Sequence, residues 1–267
     1  MMQRILTSAV GLVIFFVVLL ANETVFAAAI AVIILIALYE MYKAMSTGKA
    51  IALIGFLSAG IIFAGVFLGD VKLPIIITMM MYMITSIFLH DERNFKDVYS
   101  AALVTYFITF FFSALSRLRA DFGAEAVFLV FLFAWGTDTG AYFSGRFFGK
   151  HKLIPKVSPK KTVEGAVGGV VCTIIFTCIY LFILRNAFGI SHIGGASYPG
   201  VSVLAVIASV MSQFGDLAAS VIKRDSGVKD FGTILPGQGG IMDRFDSVVF
   251  IAPMVLYFFV YFNAWVI

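Results

Sequence analysis

Charge is scarce in this 267-residue chain. Asp, Glu, Lys and Arg make up 13% of it and hydrophobic residues 61%, whereas a soluble domain carries about 25% and about 45–50%. Cysteine is nearly missing as well. Cys172 and Cys178 lie in one apolar run, about 9 Å of helical rise apart, which is too far for a disulfide. The three histidines, at 90, 151 and 192, show no zinc-ligand spacing. No G-x-x-x-x-G-K-[ST] loop occurs. The DFG triplets at 121–123 and 230–232 lack every companion element of a kinase. These absences exclude a soluble globular enzyme, a disulfide scaffold, a zinc module and a P-loop or kinase fold. No internal repeat is visible either, which weighs against a repeat-built transporter.

What is present is apolar length. Mean hydropathy is +1.02, and the apolar runs are 5–21, 24–42, 51–69, 73–90, 98–116, 124–145, 163–185, 199–222 and 244–266. At about 20 residues per crossing, they predict an all-α polytopic membrane protein of nine spans. Arg4 before the first run invites a signal-peptide reading. The run exceeds a signal core and another span follows at once, so a retained helix is expected. Small residues at Gly55, Gly60 and Gly65 predict close helix packing. One membrane domain is expected over 1–267, with 1–122 as scaffold and dimer contacts and 123–267 carrying the chemistry. If nine spans alternate sides, 15 of the 19 Lys and Arg fall on the side of the N-terminus and 4 on the other. That asymmetry predicts a cytoplasmic N-terminus and an outside C-terminus. The net charge of +4 then describes a basic cytoplasmic face suited to anionic headgroups or a phosphate-rich ligand. No nucleic acid is expected as a partner.

The second half holds the polar residues. In FAWGTDTGAYFSGRFFGK (133–150), Trp135, Asp138, Tyr142 and Gly145 share one helix face. Asp138 lies inside an apolar run, where a carboxylate is costly and is a functional candidate or a structural partner of a basic residue. Gly136 and Gly140, like Gly145 and Gly149, have small-x-x-x-small spacing for helix contact. The basic stretch ending in SPKKTVEG sets Lys160 and Lys161 before a helix. Ser158 and Thr162 are available as caps and Pro159 suits the first turn. This reads either as a phosphate site or as a positive-inside orienting signal. Further on, Asp216, Ser220 and Lys223 or Arg224 share a face, for chemistry or for an Asp216–Lys223 ion pair. Asp243 and Asp246 then project from one side of a helix start, where capping is their ordinary use.

Carboxylates on several spans near one membrane face, ringed by Lys and Arg, suit Mg²⁺ with phosphates. Magnesium takes one or two carboxylates and fills its shell with water and phosphate oxygens. The glycines of PGQGG let backbone approach a ligand closely. The residues therefore point to a membrane enzyme acting on a nucleotide or diphosphate at the cytoplasmic interface. An ion-coupled transporter using Asp138 and Asp216 is the contrary class.

The stretch SVIKRDSGVKDFGTILPGQGGIMDRFDS (220–247) resembles the signature of the phosphatidate cytidylyltransferase family, the CDP-diacylglycerol synthases. The matching positions are Ser220, Lys223, Arg224, Lys229, Asp230, Pro236, Gly237, Gly239, Gly240, Asp243, Arg244 and Asp246. WGTDTGAYFSGRFFGK and SPKKTVEG are similar to family segments in the same order. The resemblance implies the reaction of CTP with phosphatidate to CDP-diacylglycerol and pyrophosphate in phospholipid biosynthesis. It also implies Mg²⁺ dependence, with one cation or two, and a homodimer in the bacterial cytoplasmic (inner) membrane. By the same resemblance Asp216, Asp243 and Asp246 hold metal, Lys223 and Arg224 grip phosphates, and Lys160 and Lys161 assist. Ser220, Gly237, Gln238, Gly239, Arg244 and Asp138 complete the substrate site. A cytidylyltransferase for another lipid phosphate is the alternative within the class. Gln238 departs from the pattern, since the family usually has His there.

Overall fold

A computed structural model describes residues 2–190, 193, 196–235 and 237–266, with side chains from Leu6 to Tyr261. His192 and Pro236 lie outside the described residues. The elements in chain order are α1 (Met2–Leu20), α2 (Glu23–Ala44), α3 (Lys49–Leu68), α4 (Lys72–Phe88), α5 (Phe95–Phe148), β1 (Lys152–Ile154), β2 (Ser158–Thr162), α6 (Val163–Phe188), α7 (Tyr198–Asp225) and α8 (Met242–Val266). Among the described residues six helices are long and apolar enough to cross a membrane: α2, α3, α5, α6, α7 and Met242–Tyr261 of α8. Shorter apolar helices cover Leu6–Leu20 and Lys72–Phe88.

The apolar runs 98–116 and 124–145 both fall in α5. Its 54 residues correspond to about 80 Å of continuous helix, far more than the ~30 Å hydrocarbon core. Gly123 interrupts it with φ 85° and ψ −179°, a left-handed conformation that a Cβ would strain. Large apolar side chains are widely exposed, among them Leu20, Leu68, Phe88 and Leu103 at 71–82%. A water-facing surface of that kind would drive aggregation; here the surrounding solvent is lipid, and the chain is an all-α integral membrane protein.

The chain packs as two compact units, one of residues 1–117 with 226–244 and the other of 118–225 with 245–267. The first unit gathers α1 to α4, the start of α5 and the loop after α7. Its interior is apolar apart from the buried Glu40 and a set of buried hydroxyls, among which Tyr42 and Tyr82 both meet Thr105 Oγ1 at 2.5 Å. Gly55 gives the Tyr42 ring its place, and Gly65 is covered by Pro74. Gly60 differs from the expectation: nothing lies within 4 Å of where its Cβ would be.

The second unit is built on α5, α6 and α7. Gly136 faces Thr173, and Gly140 faces Cys172, Gly168 and Gly169 so closely that no side chain fits. Gly145 and Gly149 pack at Thr162, so the first small-residue pair is a contact between helices, while the second seats the end of α5 against the strand residue that caps α6. Thr137 Oγ1 donates to Ser209 Oγ at 2.8 Å and lies 2.9 Å from Thr173 Oγ1. One buried hydroxyl thus joins three helices, the kind of interhelical bond that holds membrane bundles.

Candidate active site

The SPKKT segment departs from the helix start expected of it. Ser158–Thr162 is β2, pairing antiparallel with β1 through Lys152↔Thr162 and Ile154↔Ser158. Pro159 therefore lies in the strand, and Thr162 alone caps α6, accepting from Gly165 N at 3.1 Å. Glu164 ties down the far side of the hairpin. Its carboxylate accepts from the backbone N–H groups of Lys150 at 3.1 Å and His151 at 3.2 Å and meets His151 Nδ1 at 2.6 Å. Glu164, in the first turn of α6, thus ties the chain entering β1 to the helix that follows β2.

So anchored, β2 carries Lys160 and Lys161 to the rim of a cavity of ≈ 440 Å³ within the second unit. That size falls in the range of about 300–1,000 Å³ typical of small-molecule sites. Asp138, Tyr142 and Arg146, at successive fourth positions of α5, supply one wall; Thr162 and Ala166 a second; and Gln213 and Asp216 of α7 a third. Asp216 Oδ2 pairs with Lys161 Nζ at 2.6 Å, both groups half-buried. Arg146 donates to the Tyr142 hydroxyl at 2.9 Å, and Gln213 donates to the Ala166 carbonyl at 3.2 Å.

Beside the cavity, α7 and α8 meet at Gly215, where a Cβ would lie 2.7 Å from the Asp246 carbonyl. That approach sets Asp216 next to Asp246, whose carboxyl is within electrostatic reach of Asp216, Lys223 and Asp138. Asp246 Oδ1 accepts from Ser247 N at 2.8 Å. Ser220 and Lys223 are half-buried, whereas Arg224 is exposed at the end of α7.

The remaining signature residues belong to the first unit. Asp243 Oδ2 accepts from Phe231 N and Gly240 N, each at 2.9 Å, so this carboxylate closes the 226–244 loop on itself. Gly237 and Gly239 adopt φ of 75° and 92°, which only glycine takes readily. Gln238 N donates to Leu235 O at 2.9 Å, and Arg244 Nε donates to the Gln238 carbonyl at 2.9 Å. The Gln238 side chain reaches α1, donating to Ser8 Oγ at 2.6 Å. An imidazole N–H offers the same donor, so Gln238→His is expected to keep or raise turnover. A large loss in a steady-state assay would show that the turn is built around Gln.

Among the described residues no three of His, Cys, Asp and Glu enclose a metal position. Asp216 and Asp246 are nevertheless neighbouring hard-oxygen donors flanked by lysines. That donor set fits Mg²⁺, which leaves most of its shell to water and phosphate.

Arg146, Gln213 and Glu40 are not anticipated from motif spacing. Arg146 is eight positions beyond Asp138 and Gln213 three before Asp216, so helical periodicity carried both signals. Glu40 interrupts an apolar run, as Asp138 does, and the same argument from intramembrane charge applies to it.

The cavity thus brings three basic and two acidic side chains together in a helical membrane protein. Residues 2–262 match the cytidylyltransferase family. The chain is 35% identical over 263 residues to the phosphatidate cytidylyltransferase of Staphylococcus haemolyticus (strain JCSC1435), covering 96% of this chain and 97% of that one. The same coverage relates it at 34% identity to the phosphatidate cytidylyltransferase of Staphylococcus aureus (strain COL). The chain belongs to the cytidylyltransferase family.

Proposed function

We propose that this protein transfers the cytidylyl group of CTP to phosphatidate, giving CDP-diacylglycerol and pyrophosphate for phospholipid synthesis. The observation that carries the reading is the ≈ 440 Å³ cavity in which Lys160, Lys161 and Arg146 face Asp138 and Asp216. Its support is the likeness along 96% of the chain to proteins bearing that name. Lys160, Lys161 and Arg146 bind the triphosphate oxygens, and Lys223 and Arg224 hold phosphate of either substrate. A phosphatidate oxygen attacks the α-phosphorus while the bond to pyrophosphate breaks. The nucleophile is already anionic, so no general base is required. Asp216 and Asp246, with Asp243, would hold Mg²⁺, which would offset charge at the transferring phosphorus. Ser220, Gly237, Gln238, Gly239 and Arg244 are assigned to substrate binding.

The nine apolar runs act as nine spans. The distribution of Lys and Arg supports a cytoplasmic N-terminus, an outside C-terminus and an active site facing the cytoplasm. The bacterial inner membrane is the proposed location and a homodimer the proposed assembly.

The test is to purify the protein and follow pyrophosphate release from CTP with a panel of lipid phosphates, with and without Mg²⁺. CTP-dependent turnover with phosphatidate is expected. Turnover only with another lipid phosphate would move the acceptor, and solute uptake without CTP turnover would favour a transporter. Lys161→Ala, which removes a charge-assisted contact, is expected to raise KM for CTP about 10–100-fold. An unchanged KM in the same assay would remove Lys161 from the site.

A further inference from the structure

Glu40 lies on α2, a membrane helix, yet is 1% exposed and serves the loop before α8. Its Oε1 accepts from Ile241 N at 3.0 Å and its Oε2 from Met242 N at 2.9 Å. The preceding N–H, that of Gly240, goes to Asp243 Oδ2 at 2.9 Å. Three successive donors leading into α8 therefore end on carboxylates. The first N–H groups of a helix have no intrahelical partner, and the dipole there favours negative charge. A local Ser, Thr or Asp ordinarily answers that need; here a carboxylate from another membrane helix does so.

The glycines of the loop are shaped around the same group. A Cβ on Gly232 would lie 2.3 Å from Glu40 Oε1, and one on Gly240 would lie 2.4 Å from Oε2. Both glycines leave room for the carboxylate, and Asp243 grips the loop from the other side through Phe231 N and Gly240 N. The direction of the Asp243 side chain thus depends on a segment that Glu40 holds in place.

We propose that Glu40 is the positioning residue for the Asp243 carboxylate, fixing the first turn of α8 from α2 without touching substrate. This rests on the reading that Asp243 serves cytidylyl transfer. It goes beyond that reading by giving the scaffold helix α2 a share in aligning the site.

The test uses the full chain in lipid nanodiscs, comparing wild type, Glu40→Gln, Glu40→Asp and Glu23→Gln as a control. Amide exchange of peptides within 226–244 is read alongside kcat and KM for CTP. Glu40→Gln replaces one acceptor oxygen with an NH₂ facing an N–H, and exchange there is expected to rise about tenfold or more. Misplacing the carboxylate should lower kcat by about 10²-fold while KM for CTP stays within about threefold. Glu40→Asp keeps the charge but not the reach and should behave like Gln, while Glu23→Gln changes nothing. Unaltered exchange in both Glu40 variants would overturn the proposal whatever the activity. Raised exchange with wild-type kcat would overturn the link to catalysis. If the wild type itself turns over no CTP, the functional reading fails, and the exchange data still decide whether Glu40 positions the loop. Should the Glu40 variants fail to fold, Gly240→Ala, which displaces the same carboxylate from the loop side, must reproduce the raised exchange and lowered kcat. If it leaves both unchanged, the idea is sunk.

Discussion

Asp243→Asn is expected to lower CTP-dependent pyrophosphate release by about 10³-fold or more, the scale of losing one preorganised charge at a transferring centre. The substitution is informative because it separates the loop contacts of Asp243 from the metal role proposed for it. One oxygen accepts from Phe231 N and Gly240 N, and the carbonyl oxygen of Asn can accept from both. The loop should therefore keep its form while the charge disappears. Asp243→Ala would remove both and confound them. The check is turnover alongside thermal melting in detergent. A normal melt with lost turnover supports the metal role, and near-normal turnover would end it. Asp216→Asn is a useful companion, since it also frees Lys161 from the 2.6 Å ion pair.

Gly140→Leu is expected to produce the largest loss of stability. Its Cβ would sit 2.4 Å from Cys172 Cβ, 2.6 Å from the Gly168 carbonyl and 3.0 Å from Gly169 Cα. None of these is the far end of a flexible side chain, so α5 and α6 must move apart. Separation strains the Thr137 contacts to Thr173 and Ser209 as well as apolar packing. Overpacking of this kind costs about 1–3 kcal/mol, and loss of the shared hydroxyl adds about 1 kcal/mol more. Gly60→Leu is the matched control. That position is exposed, with nothing within 4 Å of the new Cβ, and its effect should stay within about 0.5 kcal/mol. Melting of both variants in one detergent makes the comparison. Equal melting points would refute the packing account.

The helices could be read from composition because hydrocarbon imposes a simple demand: long apolar runs with backbone bonds closed internally. The carboxylates and lysines of the second half were legible for a related reason, since charge stands out against such a background. What stayed hidden was long-range pairing. Helical spacing offered Lys223 to Asp216, but it could not announce the ion pair that Asp216 makes with Lys161 on a strand. That strand was itself unreadable, because its pairing with β1 and the bonds by which Glu164 holds the preceding loop leave no periodic signal. Glu40 was visible as a charge in an apolar run, but its partners were not: they appear only where the 226–244 loop is seen wrapped around its carboxylate.

The cavity that holds the Lys161–Asp216 pair is lined by three basic and two acidic side chains. Their charges nearly cancel, so a lone anion or a lone cation gains little there. Chloride, sulfate or free metal should compete poorly for such a place. The proposed substrate, a polyphosphate with its counter-cation, carries both signs together. On that proposal, discrimination against small ions would follow from the balance of the lining.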